Sequence, residues 1–362
     1  MYFENIHIKD FRNYHDQDVK FDRNINIILG ENAQGKTNLL EALYITSLGR
    51  SFRTSKDSEL IRFGSDTAKV STFLKKDGEK LSIDIGYYKN KKGIKIDGVK
   101  INKISELLDH VYVVIFSPDD MRIVKDEPEK RRKFIDRELC QMKPVYFDSL
   151  MRYKKTLAQR NSLLKSEFPD EGMLDIWDKE LAIYGAKIII YRDKFIEKLS
   201  KISSQIHSDL TDKKENINIF YEANVKVAED EISQRKVLEA SFFDARKKDM
   251  ARKMTSCGPH RDDLGIKVDG TDVRKFGSQG QQRTAALSLK LAEIRLIEEE
   301  KGEKPVLLLD DVLSELDSKR QKKLISSFGD IQIFITATEL SDDIKNQLGD
   351  FNIIRIENGN VI

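Results

Sequence analysis

An α/β fold interrupted by an inserted, mostly helical domain is what this sequence predicts, and three observations predict it. Residues 24–29 and 111–116 read as short strands, and the continuous apolar runs at 306–309 and 331–335 have the composition of parallel strands covered on both faces. A glycine-rich loop, GENAQGKT at residues 30–37, follows the first of these strands and leads into NLLEALYIT, which continues with helical spacing. Between the two groups of strands, residues 120–215 are rich in Lys, Glu, Leu and Ile, a helical texture broken mainly at Pro144 and at residues 169–172.

Each element has its own signal. Further strands are expected at residues 69–74 and 81–87, with Asp77-Gly78 and Asp97-Gly98 as turn signals. In the helical region, Leu181, Tyr184, Ile188, Tyr191, Phe195, Leu199, Ile202, Ile206 and Leu210 recur at a mean spacing of about 3.6. That is the period of a straight amphipathic helix packed on its own core, so no long coiled coil is expected. Trp177, the only tryptophan, is assigned to the same core. Strand patterns return at residues 217–221 and 264–268, and a helix follows over about 278–300, closed by Gly302. The predicted division is a nucleotide-binding domain of residues 1–119 and 216–362 around a helical insertion of residues 120–215.

Composition excludes several classes. Lys+Arg 63 against Asp+Glu 61 leaves a net charge of +2, which names no partner. No apolar run approaches the roughly 18 residues of a membrane span, and charged residues stand in MYFENIHIKDF where a secretory signal would be apolar. A cytoplasmic protein with no membrane partner is expected. The two cysteines, Cys140 and Cys257, lie too far apart for a CxxC site or a disulfide framework. His7, His15, His110 and His207 have no metal-ligand spacing.

The glycine-rich loop carries the chemistry. In G-x-x-x-x-G-K-[ST], the backbone of Gly30, Glu31, Asn32, Ala33, Gln34 and Gly35 turns N–H groups toward phosphate oxygens. Lys36 reaches the β- and γ-phosphates, Thr37 offers its hydroxyl to Mg²⁺, and Asn38 opens a helix whose positive end adds attraction. The ligand implied is ATP with Mg²⁺. A carboxylate-bearing strand should lie downstream, and VLLLDD at residues 306–311 supplies one. Asp310 is placed to hold Mg²⁺ through water, and Asp311 is the candidate base beside it. Lys36 and Asp311 are therefore the catalytic candidates.

Between loop and strand, Ser278-Gln279-Gly280-Gln281 opens a helix, with Ser278 as an N-cap that can form an anion site. This stretch resembles the S-G-G-Q signature of the ABC ATPase superfamily, and Ser314, Glu315 and Asp317 of SELD resemble its D-loop. FRNY at residues 11–14, Pro118-Asp119-Asp120, PEKRRKFID at 128–136, GPHRDD at 258–263 and LLLDDVLSELD at 307–317 extend the likeness. Over essentially its full length the chain resembles the RecF family of bacterial recombination-repair ATPases. Asp126 departs from that pattern, standing where glycine is expected before Pro128.

The resemblance implies an ABC-type ATPase head and an ATP-dependent homodimer in which the Ser278 segment acts on the other subunit's nucleotide. It implies binding to duplex DNA at single-strand gap junctions, with RecR and RecO as partners in loading RecA. Arg12 of FRNY would touch the nucleotide or pair with a carboxylate. His260 and Arg261 are read as structural, with a nucleotide role as the alternative. Against the wider ABC pattern, Asp311 replaces a glutamate, Thr336 or Thr338 replaces the switch histidine, and residues 117–120 lack the Q-loop glutamine. Weak, slow ATP hydrolysis is expected. Basic stretches at residues 89–95, 129–133, 152–160 and 245–253 are candidates for phosphate contact.

Three rival readings remain. A transporter subunit should show the Q-loop glutamine and switch histidine. An SMC-like or other ABC-type subunit of chromosome maintenance should carry a long coil, with a CxxC in the zinc-hook type. A clamp without hydrolysis would produce no ADP dependent on Asp311.

Overall fold

Alternating apolar and polar residues build the first sheet of the computed structural model, which describes residues 1–89 and 91–362. Asn90, inside the basic stretch 89–95, lies outside the described residues. In β1 (Tyr2–Phe11), Phe3, Ile6, Ile8 and Phe11 are buried while polar residues face out. β2 (Tyr14–Lys20) pairs with it antiparallel. β3 (Ile25–Leu29) leads to the glycine-rich loop and α1 (Lys36–Leu48). β4 (Thr67–Lys76), β5 (Glu79–Tyr88), β6 (Lys91–Ile96) and β7 (Val99–Ile101) complete an antiparallel sheet of order β2-β1-β4-β5-β6-β7. Its β4–β5 and β6–β7 hairpins turn at the two predicted Asp-Gly pairs, and all four turn residues have positive φ.

The second sheet of this unit is the one the apolar runs predict. β8 (Val113–Phe116) and the later β12 (Val306–Asp310), β13 (Ile333–Ala337), β14 (Asn352–Glu357) and β15 (Asn360–Val361) join β3 in the order β15-β14-β3-β13-β12-β8. All pairs are parallel except β14–β15. α8 (Ser318–Ser326) and α9 (Asp342–Leu348) lie in the connections. Residues 1–121 and 293–362 form this first unit.

Residues 122–292 form the second unit. Pro128 and Pro144 start α2 (Pro128–Met142) and α3 (Pro144–Leu163), where a missing N–H costs nothing. Asp170 caps α4 (Glu171–Leu210), accepting the Met173 N–H at 2.8 Å. On α4 the predicted stripe buries Leu181, Ile188, Phe195, Leu199 and Ile206, and Tyr184, Tyr191, Ile202 and Leu210 stay partly exposed. Trp177 is half-buried, not core; the buried neighbour is Asp178, drawn in by two arginines.

β9 (Ile217–Glu222), α5 (Glu231–Arg252), β10 (Asp263–Val268), β11 (Thr271–Asp272) and α6 (Val273–Phe276) follow. α7 (Gln279–Lys301) begins in this unit and ends in the first, closed by Gly302 at φ 69. β9, β10 and β11 pair only with one another, and β9 packs on α4. By packing, residues 216–292 cluster with the helical unit, and β9, β10 and β11 form a sheet of their own. Among the described residues no helix is long and apolar enough to cross a membrane.

Candidate functional site

The loop at residues 30–37 is shaped by what crowds it. A Cβ on Gly30 would come within 2.4 Å of the Ile356 carbonyl oxygen, and Gly35 sits at φ 122 against the side chains of Asn13 and Tyr14. Larger residues are therefore excluded at both glycines. The loop's carbonyls are tied down from outside. Asn13 Nδ2 donates to Gln34 O at 2.8 Å, the Gly359 N–H to the same oxygen at 3.0 Å, and the Tyr14 hydroxyl to Gly35 O at 2.9 Å. A turn held by its carbonyls has its N–H groups to offer to an anion.

Lys36 is buried, and its Nζ donates to Gly30 O at 2.7 Å and Glu31 O at 3.0 Å. Its ammonium is thus folded over the loop it belongs to. Thr37 Oγ1 donates to Asp310 Oδ1 at 2.8 Å, which joins two segments far apart in sequence. Asp310 stands opposite Thr336 in the β12–β13 register, and Thr336 Oγ1 donates to the same carboxylate at 3.0 Å. That hydroxyl also accepts the Asp311 N–H at 2.9 Å. Of the two candidates for the switch position, Thr336 is buried, bonded to the Asp310 carboxylate and the Asp311 N–H, and Thr338 is exposed.

Burial raises the pKa of Asp310, against the lowering pull of its bonds from Thr37 and Thr336. Burial also raises that of Asp311, and Lys36 opposes it. Asp311 adopts φ 53, a left-handed conformation costly for a residue with a Cβ, on the order of 1–2 kcal/mol. Its carbonyl oxygen accepts a bond from Ser314 Oγ at 2.7 Å, which secures that turn. Asp317 caps α8 by accepting the Arg320 N–H at 2.9 Å, and Ser314, Glu315 and Asp317 are all exposed.

Arg12 pairs with a carboxylate, one of the two roles expected of it. Its Nε and Nη2 each reach a carboxylate oxygen of the fully buried Glu41 at 2.8 Å, and Nη1 donates to Glu59 O at 2.8 Å. Arg53 joins Glu41 at 3.4 Å and Asn38 Oδ1 at 2.7 Å, and Asn38 Nδ2 donates to Asn13 Oδ1 at 2.8 Å. FRNY therefore works as a buttress: Arg12 grips α1, while Asn13 and Tyr14 grip the loop. Sequence reasoning missed Asn13, Tyr14, Glu41, Arg53 and the Asn358-Gly359 turn. The FRNY run signalled Asn13 and Tyr14, the Asn358-Gly359 pair is itself a turn signal, and Glu41 and Arg53 had none.

In the second unit, Ser278 and Gln281 form a reciprocal capping box. The Gln281 N–H donates to Ser278 Oγ at 3.2 Å and the Ser278 N–H to Gln281 Oε1 at 3.0 Å. Ser278 and Gln279 are exposed, and Gly280 is partly so. One chain of contacts anchors this segment: Gln281 Nε2 donates to Glu215 Oε1 at 3.1 Å, Glu215 lies 3.4 Å from His207 Nε2, and His207 Nδ1 meets Ser288 Oγ at 3.0 Å. Burial lowers the His207 pKa, and the adjacent Glu215 opposes that.

Other candidates prove structural. His260 is held between the Tyr153 hydroxyl at 2.8 Å and Thr255 O at 3.1 Å, and burial lowers its pKa to about 4, so the ring is neutral. Arg261 also binds Thr255 O. From the basic stretches, Arg131 pairs with Asp263, Arg160 with Asp178 and Asp249, and Arg246 with Asp175 and Asp178, so these three are committed inside the fold. At Asp126 the turn forms without a positive φ, its carbonyl accepting a bond from Arg131 at 2.5 Å. Among the described residues no three His, Cys, Asp or Glu side chains converge as a metal cluster.

Comparison with known proteins agrees with this architecture. Residues 2–348 match the RecF/RecN/SMC N terminal domain. The DNA replication and repair protein RecF of Lachnospira eligens is 47% identical over 368 residues, spanning 100% of this chain and 99% of that protein. Its namesake from Clostridium acetobutylicum is 44% identical over 363 residues, with the same coverage. Among solved structures, the recombination mediator protein RecF-ATPrS in the RecFOR pathway superposes with TM-score 0.93 at 41% identity, over 99% of this chain and 97% of that one. The corresponding RecF-ATP structure gives 0.91 at 41% identity, over 100% and 97%. The Smc head domain of Pyrococcus furiosus, at 18% identity and TM-score 0.56, shares the fold. The fold is the ABC-type ATPase head with a helical insertion, and the chain belongs to the RecF family of DNA replication and repair proteins.

Proposed function

We propose that this chain is an ATP-dependent DNA clamp of recombinational repair: it binds ATP and Mg²⁺, dimerises on ATP, and grips duplex DNA near single-strand gaps. The contact between Thr37 and Asp310 carries the reading, because it brings a phosphate-loop hydroxyl and a strand-end carboxylate to one point. A hydroxyl and a carboxylate are hard oxygen donors that suit Mg²⁺. The close backbone at Gly30 and Gly35 suits a polyphosphate. Mg²⁺, when bound, supplies neutralisation of phosphate charge.

The residues divide the work. Gly30 to Gly35 cradle the phosphates with backbone N–H groups, Lys36 leaves its loop carbonyls to meet the terminal phosphates, and Thr37 and Asp310 hold the metal side. Asp311 orients the attacking water by accepting its hydrogen bond. Aspartate is one methylene shorter than the usual glutamate, and neutral Thr336 stands where a histidine is usual, so hydrolysis is slow and acts as a switch. A steady-state rate of many turnovers per second would contradict this.

The exposed Ser278 and Gln279, with the partly exposed Gly280 and Gln281, complete the phosphate site of a second subunit, and Ser314, Glu315 and Asp317 lie across the same contact. The ATPase thus draws on residues 1–119 and 216–362, with 120–215 as the insertion. Nucleotide held only by the dimer stabilises it by mass action. The RecFOR name of the similar structures supports RecO and RecR as partners, with RecA loading as the outcome. The site of action is the cytoplasm.

Gel-shift titrations with gapped, duplex and single-stranded DNA, with and without ATP, across a salt series test the clamp. ATP-enhanced duplex binding with a steep salt dependence supports it. Absence of DNA binding overturns it.

A further inference from the structure

The second unit contains a cavity of about 160 Å³ that the nucleotide chemistry does not use. It lies where α2, α3 and α4 meet the 3₁₀ turn Pro259–Arg261. Leu150, Leu157, Ile188 and Pro259 supply its apolar lining. The polar groups of the floor are already committed. Tyr153 and His260 bond to each other, and His260 closes its second nitrogen on Thr255 O. Arg192 donates to Pro259 O at 2.6 Å and pairs with Asp136 at 2.8 Å and Asp262 at 3.2 Å. The floor therefore presents carbon and satisfied polar atoms, and asks for an apolar occupant. A cavity of about 150 Å³ holds a benzene ring, so one large side chain fits.

The rim differs. Lys133 pairs with Glu129 at 2.6 Å. Arg132 donates only to the Asp262 carbonyl oxygen, at 2.7 Å, and the exposed Lys154 has no ion pair among the described residues. Asp136, Asp262 and Asp263 act on Arg132 only at longer range, and each is committed to Arg192 or Arg131. Two basic stretches that the sequence separates, 129–133 and 152–160, thus converge on one opening with Arg132 and Lys154 unmatched.

We propose that this cavity is a docking pocket for an acidic peptide segment of a partner protein. One apolar side chain of the segment fills the cavity, and carboxylates beside it meet Arg132 and Lys154. A nucleic-acid backbone matches the rim but has nothing apolar for the floor. A single anchor in a dry pocket with charges at its edge is the usual anatomy of a small binding hot spot.

Fluorescence anisotropy on the full chain tests this with a labelled acidic octapeptide carrying one central leucine, the same peptide with alanine in its place, and a labelled duplex. Leu157→Arg and Lys154→Glu are the variants, with thermal melts and fluorescent-ATP binding as controls for folding. The leucine peptide should bind saturably, and the alanine peptide about tenfold or more weakly. Lys154→Glu should lose about tenfold and Leu157→Arg nearly all of the binding, with ATP binding unchanged in both. Equal affinity for the two peptides, no saturable binding, or wild-type affinity in both variants would overturn the proposal. Duplex binding lost in both variants without peptide binding would give the pocket to nucleic acid, and altered self-association would give it to a second copy.

Discussion

The phosphate-loop cluster in the first unit and the Ser278 segment in the second are built on opposite principles. Around the loop, Lys36, Asp310 and Thr336 are buried and every neighbour is fastened, from Asn13 and Tyr14 on one side to Thr37 on the other. Ser278 and Gln279 are exposed, and the segment is held by its own capping box, by the Gln281–Glu215 bond, and by Gln282 and Thr284 bonding back to Val273, Gly277 and Gly280 carbonyls. A buried, over-determined cluster can hold strained geometry such as φ 53 at Asp311. An exposed helix N-terminus keeps its N–H groups available for an anion brought from outside. The difference teaches that the loop cluster is fastened on all sides before any ligand arrives, whereas the Ser278 segment is an exposed surface.

Substitutions break this contrast at graded cost. Asp311→Asn keeps the shape but removes the base, and turnover should fall about 10²–10⁴-fold in a phosphate-release assay with ATP affinity nearly unchanged. If turnover survives, Asp311 is not the base. Arg12→Ala leaves the buried Glu41 carboxylate with only the more distant Arg53 and the Ser51 hydroxyl, and should cost about 3 kcal/mol in thermal unfolding without nucleotide. Unchanged stability with weakened ATP binding would move Arg12 to the nucleotide.

Asp310→Asn sharpens the point through pH. A carboxyl whose folded pKa is raised favours the folded state when protonated, and that advantage is lost as pH rises through the folded pKa. At neutral pH the native protein therefore bears the cost of an ionised buried Asp310. Asparagine still accepts from Thr37 and Thr336, so the variant should melt higher than the parent at pH 7, with the gap closing as pH falls into the carboxyl range. Mg²⁺-dependent ATP affinity should drop together with that gain. A lower melting point at pH 7 would mean that the charge itself stabilises the loop. The smallest effect belongs to Glu215→Ala, which frees Gln281 and should weaken ATP-induced dimerisation by no more than about tenfold, near 1 kcal/mol. Monomer ATP binding should not change.

What could be read from sequence was what is local. Residues 30–37 and 306–311 carry their chemistry in contiguous runs, and the strands around them are apolar enough to be found. β2, with YHDQDVK, was missed because an edge strand shows little apolar alternation. α5 was missed because its buried residues include Gln234 and Asp249 beside only Leu238 and Phe242. That residues 216–292 cluster with the helical unit follows from β9 packing on α4, a tertiary choice its alternation cannot reveal. The buttress of Asn13 and Tyr14, and the burial of Thr336 opposite Asp310, depend on strand register, which no single stretch encodes. The basic stretches misled for the opposite reason: Arg131, Arg160 and Arg246 look solvated in sequence but are ion-paired within the fold.

On the proposed function, the exposed Ser278 segment completes a phosphate site it does not contain. Sedimentation of the parent chain and Ser278→Arg, each with ATP and Mg²⁺, tests that directly. The parent should shift to a dimer, whereas Ser278→Arg should bind ATP normally and stay monomeric. A normal ATP-induced dimer of Ser278→Arg would contradict the composite site.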